Sequence, residues 1–561
     1  MDYKDYLSGF GKGISKDLDS FRKRTDSFLK KYQIVESSEE NGDRPSEKFG
    51  ILMTDITKLA EKFSIKAKDA ERVLNEYREG SALVGIHWDI LNATHEDYDY
   101  VFQEEDSWKA YSKILTDFML GMGITPSGDL GLFIIGGDDV IPMPSIDCPL
   151  PGLTTEPLDA DYLYCFELED LQSGNLHSPR CNVGRLPLEN GNVDDGLELI
   201  EEYFNRSLAE YDGIGMDIEK GVMTTTESWL PSSREMIRNL PIDDILPEYG
   251  CTEHNMFVSP QLDSDSPETQ DKFNGAISEA DFLMFNLHGS DDYEHGAYYG
   301  EDMYHSCFPE AFTKDNIRFT NAKIINSTAC YGGRYVNYNR GHSMLLQGIF
   351  GCALLYTASC TTALGRGNGF SEATDLIMPA GMSETLMKLY TIYLYRGMNA
   401  GEALMKAKED YIRTCINTDG RREAFSTIYM FNLYGNPLLN MKPRIEEERF
   451  GNYIPKIMTS DNKSINDKVE TGLGAAISSV ANDVREAVDS SLDDIKSTIM
   501  DTLYKDFGLV PDELSEMDTI VIDGEEKGYM LTYTKKGGPF NRKVFAKTDL
   551  AGKVVDIIHT K

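Results

Sequence analysis

Hydrophobic spacing divides the chain into stretches of different period. Ile51, Met53, Ile56, Leu59, Phe63 and Ile65 approximate a helical stripe, and Trp108–Met122 gives another. This spacing predicts a mainly helical region over residues 1–125, with the polar run Glu36–Lys48 as a joint. From Leu130 the pattern becomes short apolar runs that end in polar or glycine turns. LFIIGG (132–137), CNVGRLP (181–187), VMTTTE (222–227), MFVS (256–259), FLMFNLHG (282–289), KIINSTAC (323–330) and CALLYTAS (352–359) are predicted strands. Helical patterns separate them, as over Asp194–Leu208, and continue over Ser371–Arg396, Ala400–Arg413 and Arg422–Leu433. Strands alternating with helices imply a parallel sheet with helices packed against it, an α/β fold whose reactive groups gather at the carboxyl ends of strands. Beyond Pro443 a charged stretch reads as a linker. Val469, Leu473, Ile477, Val480, Val484, Val488, Leu492, Ile495, Ile499 and Leu503 then mark one long amphipathic helix. TIVID, YMLTYT, RKVFA and KVVDII follow as a small β-meander.

Length and charge narrow the possibilities. A chain of 561 residues exceeds the roughly 250–300 that one core supports, so several domains are expected. With 93 acidic and 55 basic residues the net charge is −38, which makes nucleic acid and anionic membrane surfaces poor partners. No apolar run approaches the roughly 20 residues of a membrane-spanning helix, and MDYKDYLSGFGKGISKDLDSF lacks the apolar core of a secretory leader. These features lead to the expectation of a cytoplasmic protein. The nine cysteines are scattered, odd in number and without a C-x-x-C pair, against a disulfide framework and towards a reducing compartment. No H-E-x-x-H or Cys/His cluster suggests a metal site. The acidic segments LDSDSPE (262–268) and DDYEHGAYYGED (291–302) leave a structural calcium ion open, with solvated loops as the ordinary alternative.

Two strand ends carry chemistry. FLMFNLHGSDD (282–292) delivers His288 and Gly289 into a polar turn, and KIINSTACYGG (323–333) delivers Cys330 into a Gly-Gly turn. A thiol attacks as its thiolate and needs a base, a task that suits histidine near neutral pH. Glycine beside the histidine permits close backbone approach. The N–H groups of Gly289 and Cys330 are then candidates for an oxyanion hole. Taken singly, a strand-end histidine or an apolar-strand cysteine is more often structural. The two together point to nucleophilic catalysis without a cofactor.

These elements resemble the His-Gly and Ala-Cys segments of the caspase-fold cysteine peptidases, which include caspases, clostripain, separase and gingipains. The gingipain family is the nearest resemblance. LFIIGGDDVIP (132–142), DADYLYCFEL (159–168), CNVGRLPLEN (181–190), CALLYTAS (352–359) and MFNLYGNPLLNM (430–441) are similar to its ordered landmarks, with Asn436 where aspartate is usual. The resemblance spans about 130–445. It implies an α/β subdomain over 126–215 and a caspase-like catalytic domain over 216–445; the spacing beyond it sets a linker over 446–467 and a separate helix-plus-meander domain over 468–561. It also implies that Glu227, ending VMTTTE, orients His288, and that a basic residue precedes the scissile bond. Glu235 falls near the family's specificity acid, and Asp291 and Asp292 are an alternative source of negative charge. Cys360 and Thr361 lie near the substrate pocket. Arg334 and Arg366 would instead favour an acidic side chain. His295, His305 and His342 sit in loops near the dyad. The implied partners are a protein or peptide substrate and a regulatory protein acting through residues 1–125 or 468–561. The rival reading is a catalytically silent scaffold of the same fold.

Overall fold

In a computed structural model the description covers residues 47–444 and the strands between 514 and 560. Outside it lie 95–106, 238–255, 260–266, 292–295, 303–305, 337–339, 367–381, 416–420 and a few further loop positions. Residues 1–46 also lie outside it, as does the predicted helix over 469–503.

The strands, in chain order, begin with β1 (Lys48–Thr54), β2 (Ile86–Asn92) and β3 (Gly131–Ile135). A two-residue pair, β4 (Ser145–Ile146) and β5 (Leu158–Asp159), precedes β6 (Asn182–Leu186), β7 (Gly221–Thr226), β8 (Met256–Ser259) and β9 (Phe282–Asn286). Next come β10 (His288–Gly289), β11 (Ala297–Tyr299), β12 (Glu310–Thr313), β13 (Ile324–Ser327), β14 (Leu355–Ser359), β15 (Leu364–Arg366) and β16 (Phe431–Gly435). The C-terminal meander is β17 (Leu514–Ile522), β18 (Glu525–Lys535), β19 (Arg542–Asp549) and β20 (Val554–Thr560).

Ten strands form one sheet in the order β2-β1-β3-β6-β16-β14-β13-β9-β7-β8. Every neighbouring pair is parallel except β14 and β16. The sheet is therefore two parallel blocks that meet antiparallel at one seam, where Leu355 faces Gly435 and Ser359 faces Phe431. Strands β3, β9, β13, β14 and β16 are buried at every position, as expected for strands covered on both faces by helices. The crossover helices start where short polar side chains satisfy exposed amides. Asp55 accepts from Lys58 N at the head of Ile56–Lys62, and Ser343 from Leu346 N at the head of Met344–Gly351.

Two expectations change. Ile51 and Met53 lie in β1, not on a helix, and the helix begins only at Ile56. The run ILM (51–53) is apolar throughout, so its period does not separate buried strand from helix, and pairing with β2 and β3 decides for strand. Likewise Leu433 belongs to β16, because the helix Arg421–Met430 stops where the seam strand begins. Among the described residues no helix is long and apolar enough to cross a membrane.

Candidate active site

Strands β9 and β13 are adjacent and in register, Phe282 opposite Ile324 and Phe285 opposite Ser327. Their chains therefore leave the sheet side by side at its carboxyl edge. Thr328 fastens the exits: its N–H donates to Phe285 O (2.9 Å) and its hydroxyl to Asn286 Oδ1 (2.8 Å). Two residues after β9 comes His288, and three after β13 comes Cys330. The main chains touch there, since a Cβ built on Gly289 would stand 1.7 Å from the Cys330 carbonyl oxygen. Any other residue at 289 would force the two turns apart.

His288 is fully buried. Its ring lies 4.2 Å from that of Trp229 and 5.8 Å from that of Phe308, between centroids. Nε2 is 3.1 Å from Glu301 Oε2, and both side chains are about 1% exposed. Ser228 Oγ donates to the same carboxylate oxygen at 2.6 Å, and Glu227 N–H donates to the Glu301 carbonyl at 2.9 Å. The turn after β7 thus cradles Glu301, and Glu301 meets the imidazole. A carboxylate on Nε2 selects the tautomer that carries its proton there and its lone pair on Nδ1.

Cys330 is 4% exposed. Its Sγ receives the Ala363 N–H at 3.1 Å and lies 3.6 Å from Ala363 O. The next residue, Tyr331, takes φ 56°, a left-handed conformation unusual for a side chain of this size. Tyr331 N–H donates to Thr361 O (2.9 Å), and its hydroxyl meets Thr362 Oγ1 (3.1 Å). A shallow depression beside Cys330 is lined by Ser290, Tyr298, Tyr331, Arg334 and His342 among others. Arg334 forks onto the Glu156 carboxylate (2.7 and 3.2 Å) and lies over the Tyr331 ring.

The remaining candidates are distributed as follows. Glu227 follows β7 directly, and its described contacts with the site run through its main chain to Glu301 and Ser259. Asp291 is exposed just past β10, and Asp292, His295 and His305 lie outside the described residues. Glu235 is on the helix Leu230–Ile237 and Arg366 ends β15, their side chains likewise outside. Cys360 is buried, and burial followed by the charge of Asp159 pushes its thiol far up, away from thiolate chemistry. Thr361 is buried and supplies the carbonyl that holds Tyr331. Among the described residues no group of three or more His, Cys, Asp or Glu side chains could hold a metal ion. Sequence reasoning missed Glu301, Trp229 and Ala363. Glu301 stood inside the acidic segment 291–302, where nothing in spacing separates it from its neighbours.

The upstream landmarks converge on a different feature. Arg185 of β6 forks onto Asp161 through Nε–Oδ2 (2.7 Å) and Nη2–Oδ1 (2.6 Å), and its Nη1 donates to Ile141 O (2.7 Å) and Gly136 O (3.1 Å). One buried guanidinium thereby ties together the segments LFIIGGDDVIP, DADYLYCFEL and CNVGRLPLEN. Asn436 is structural too, its Nδ2 donating to Tyr77 Oη and its Oδ1 accepting from Leu438 N.

No protein-family model and no curated protein matches the sequence. Among solved structures, one described as a protease is similar over 93% of this chain and 98% of its own, at 12% identity and a TM-score of 0.44. The Saccharomyces cerevisiae separase–securin complex is similar over 61% of this chain, at 9% identity and a TM-score of 0.31. This chain spans 18% of that one. Likenesses this distant carry no argument about activity. The architecture stands on its own topology: a mixed α/β protein with a large, mostly parallel ten-stranded sheet flanked by helices, consistent with a caspase-like fold.

Proposed function

We propose that this protein is a cysteine peptidase in which Cys330 is the nucleophile and His288 the general acid–base. The observation that carries the reading is the contact of the His288–Gly289 and Cys330 turns at the carboxyl ends of adjacent strands, with Glu301 on the far imidazole nitrogen. His288 takes the thiol proton at Nδ1, and the sulfur bonds to the substrate carbonyl carbon. Collapse of the tetrahedral intermediate breaks the C–N bond as the imidazolium protonates the leaving amine. Water then hydrolyses the thioester and regenerates the thiol. The N–H groups of Gly289 and Cys330 are the proposed oxyanion donors, a role worth roughly 3–4 kcal/mol per donor in comparable sites. Glu301 is the positioning residue, and Glu227 acts behind it by holding its main chain. No cofactor enters this chemistry.

The substrate class is protein or peptide. The family resemblance favours cleavage after Arg or Lys, with Asp291, Asp292 and Glu235 as the sources of negative charge. A specific observation favours the other preference: Arg334 and His342 line the depression next to Cys330. Exchange of Glu156 for a substrate carboxylate would suit an acidic side chain. Seven free cysteines among the described residues fit a reducing, cytoplasmic setting, and we add control by a protein partner through residues 1–125 or 468–561 to the proposal.

The test is a proteome-derived peptide library read by mass spectrometry for the wild type, Cys330→Ala and His288→Ala. Cleavage lost in both variants is expected. Cleavage surviving Cys330→Ala contradicts the assignment, and the residue preceding the cut decides between the two preferences.

A further inference from the structure

The segment that caps the candidate nucleophile continues directly into the C-terminal sheet. Thr361 holds Tyr331 N–H, Thr362 meets the Tyr331 hydroxyl, and Ala363 touches the Cys330 sulfur with both its N–H and its carbonyl. At the next residue the chain enters β15. That strand is the edge of a second sheet of order β15-β20-β19-β18-β17. Leu364 faces Thr560, Gly365 faces His559 and Arg366 faces Ile558, antiparallel. Leu364 and Ile558 are fully buried, and the Leu364 carbonyl accepts from Ser383 Oγ. No residue intervenes between cap and strand, so β15 cannot shift without moving Ala363.

The meander has its own anchors on the catalytic region. Lys547 pairs with Glu423 on the helix Arg421–Met430, with side-chain exposures of 7% and 3%, and Lys543 Nζ donates to Gly152 O. A buried ion pair is costly to separate one partner at a time, so this docking is held in one arrangement.

We propose that the C-terminal sheet is a latch: β20, by pairing with β15, clamps the Ala363 cap onto Cys330 and holds the site at a low basal activity that rises when β20 is drawn away. The proposal rests on the peptidase reading for its consequence, though not for its geometry. With the Ala363 main chain on the sulfur and Cys330 4% exposed, an incoming carbonyl carbon can reach Sγ only from the side of the depression. Releasing β15 removes both the cap and the burial. The activator that fits is an extended polypeptide strand that pairs with β20 or β15 in place of the native partner, the chemistry of strand addition to a sheet edge.

The test uses the full chain with His559→Pro. Strand β20 lies between β15 and β19, so a proline there removes a main-chain donor from a strand paired on both sides. Iodoacetamide labelling of Cys330 is followed by peptide mapping, with hydrogen exchange at Leu364–Arg366 measured in parallel. The buried Cys165 and Cys181 report that the chain remains folded. The latch predicts faster exchange at β15 and Cys330 labelling at least about tenfold faster, the factor that about 1.4 kcal/mol of lost pairing gives. Faster exchange at β15 with unchanged Cys330 labelling overturns it. Should the proline unfold the chain, sub-denaturing urea on the wild type decides: exchange at Leu364–Arg366 and labelling of Cys330 must rise together, and rises at different urea concentrations overturn the latch. Labelling needs no cleavage, so a chain that labels fast yet cuts no peptide preserves the latch and removes the peptidase reading.

Discussion

The two parallel blocks of the sheet each present a buried charged or titratable constellation, and they use it oppositely. On the first block Arg185 and Asp161 are almost fully excluded from solvent, and the guanidinium spends its donors on one carboxylate and three main-chain carbonyls. Such a group can only hold segments together. On the second block His288 and Glu301 are equally buried, but they stand behind a thiol that borders a depression. There the carboxylate fixes one imidazole nitrogen, and under the proposed function the other takes the thiol proton. Burial alone therefore does not mark a reactive site. What separates the blocks is a buried histidine–carboxylate pair on a strand exit whose main chain touches that of a cysteine.

This contrast can be broken by substitution. The largest effect expected is on stability. Asp161→Ala leaves Arg185 charged and buried, and should lower the unfolding free energy by about 3–5 kcal/mol in urea titration. A lost cleavage activity with an unchanged unfolding midpoint would mean that Asp161 belongs to the chemistry. Glu301→Gln should do the reverse. It should leave the midpoint near that of the wild type while kcat/KM drops on the order of a hundredfold, with an altered acid limb of the pH–rate profile. Glu227→Gln should cost under about tenfold by the same assay, since the variant keeps the N–H that donates to the Glu301 carbonyl. A larger loss for Glu227→Gln than for Glu301→Gln would exchange their roles.

The smallest effect concerns Asp159, near the first constellation. Burial, and then the charge of Asp138, push its carboxyl up from 3.8 to about 7. The native state therefore binds this proton more tightly than the unfolded chain. The resulting stabilisation is full below pH 3.8 and is lost as pH rises through about 7. Asp159→Asn should flatten that decline and exceed the wild type at pH 8 by on the order of 1 kcal/mol in thermal or urea unfolding. An Asn variant that is less stable than the wild type at pH 8 would show the carboxylate to be needed.

Much of the second block was legible because its strands are short, apolar and bounded by turn residues. MFVS coincides with β8, and the runs ending at His288 and Cys330 follow β9 and β13 as read. The meander was legible for the same reason. The stripe through Ile51 and Met53 misled, because an unbroken apolar run has no period of its own and only its neighbours in the sheet decide. Glu301 was hidden for a different reason. Its partner His288 is 13 residues away across a hairpin, and an acidic loop offers many equivalent carboxylates. The pairing of β15 with β20 joins segments nearly two hundred positions apart, and strand partners at that distance leave no local signature.

The central claim is that Cys330 attacks peptide bonds once uncapped. The most direct measurement exposes a peptide library to the His559→Pro chain and to the same chain carrying Cys330→Ala, with products read by mass spectrometry. The account predicts cleavage at a defined side chain by the first and none by the second. Equal product from both, or no product from a chain whose Cys330 alkylates rapidly, would contradict it.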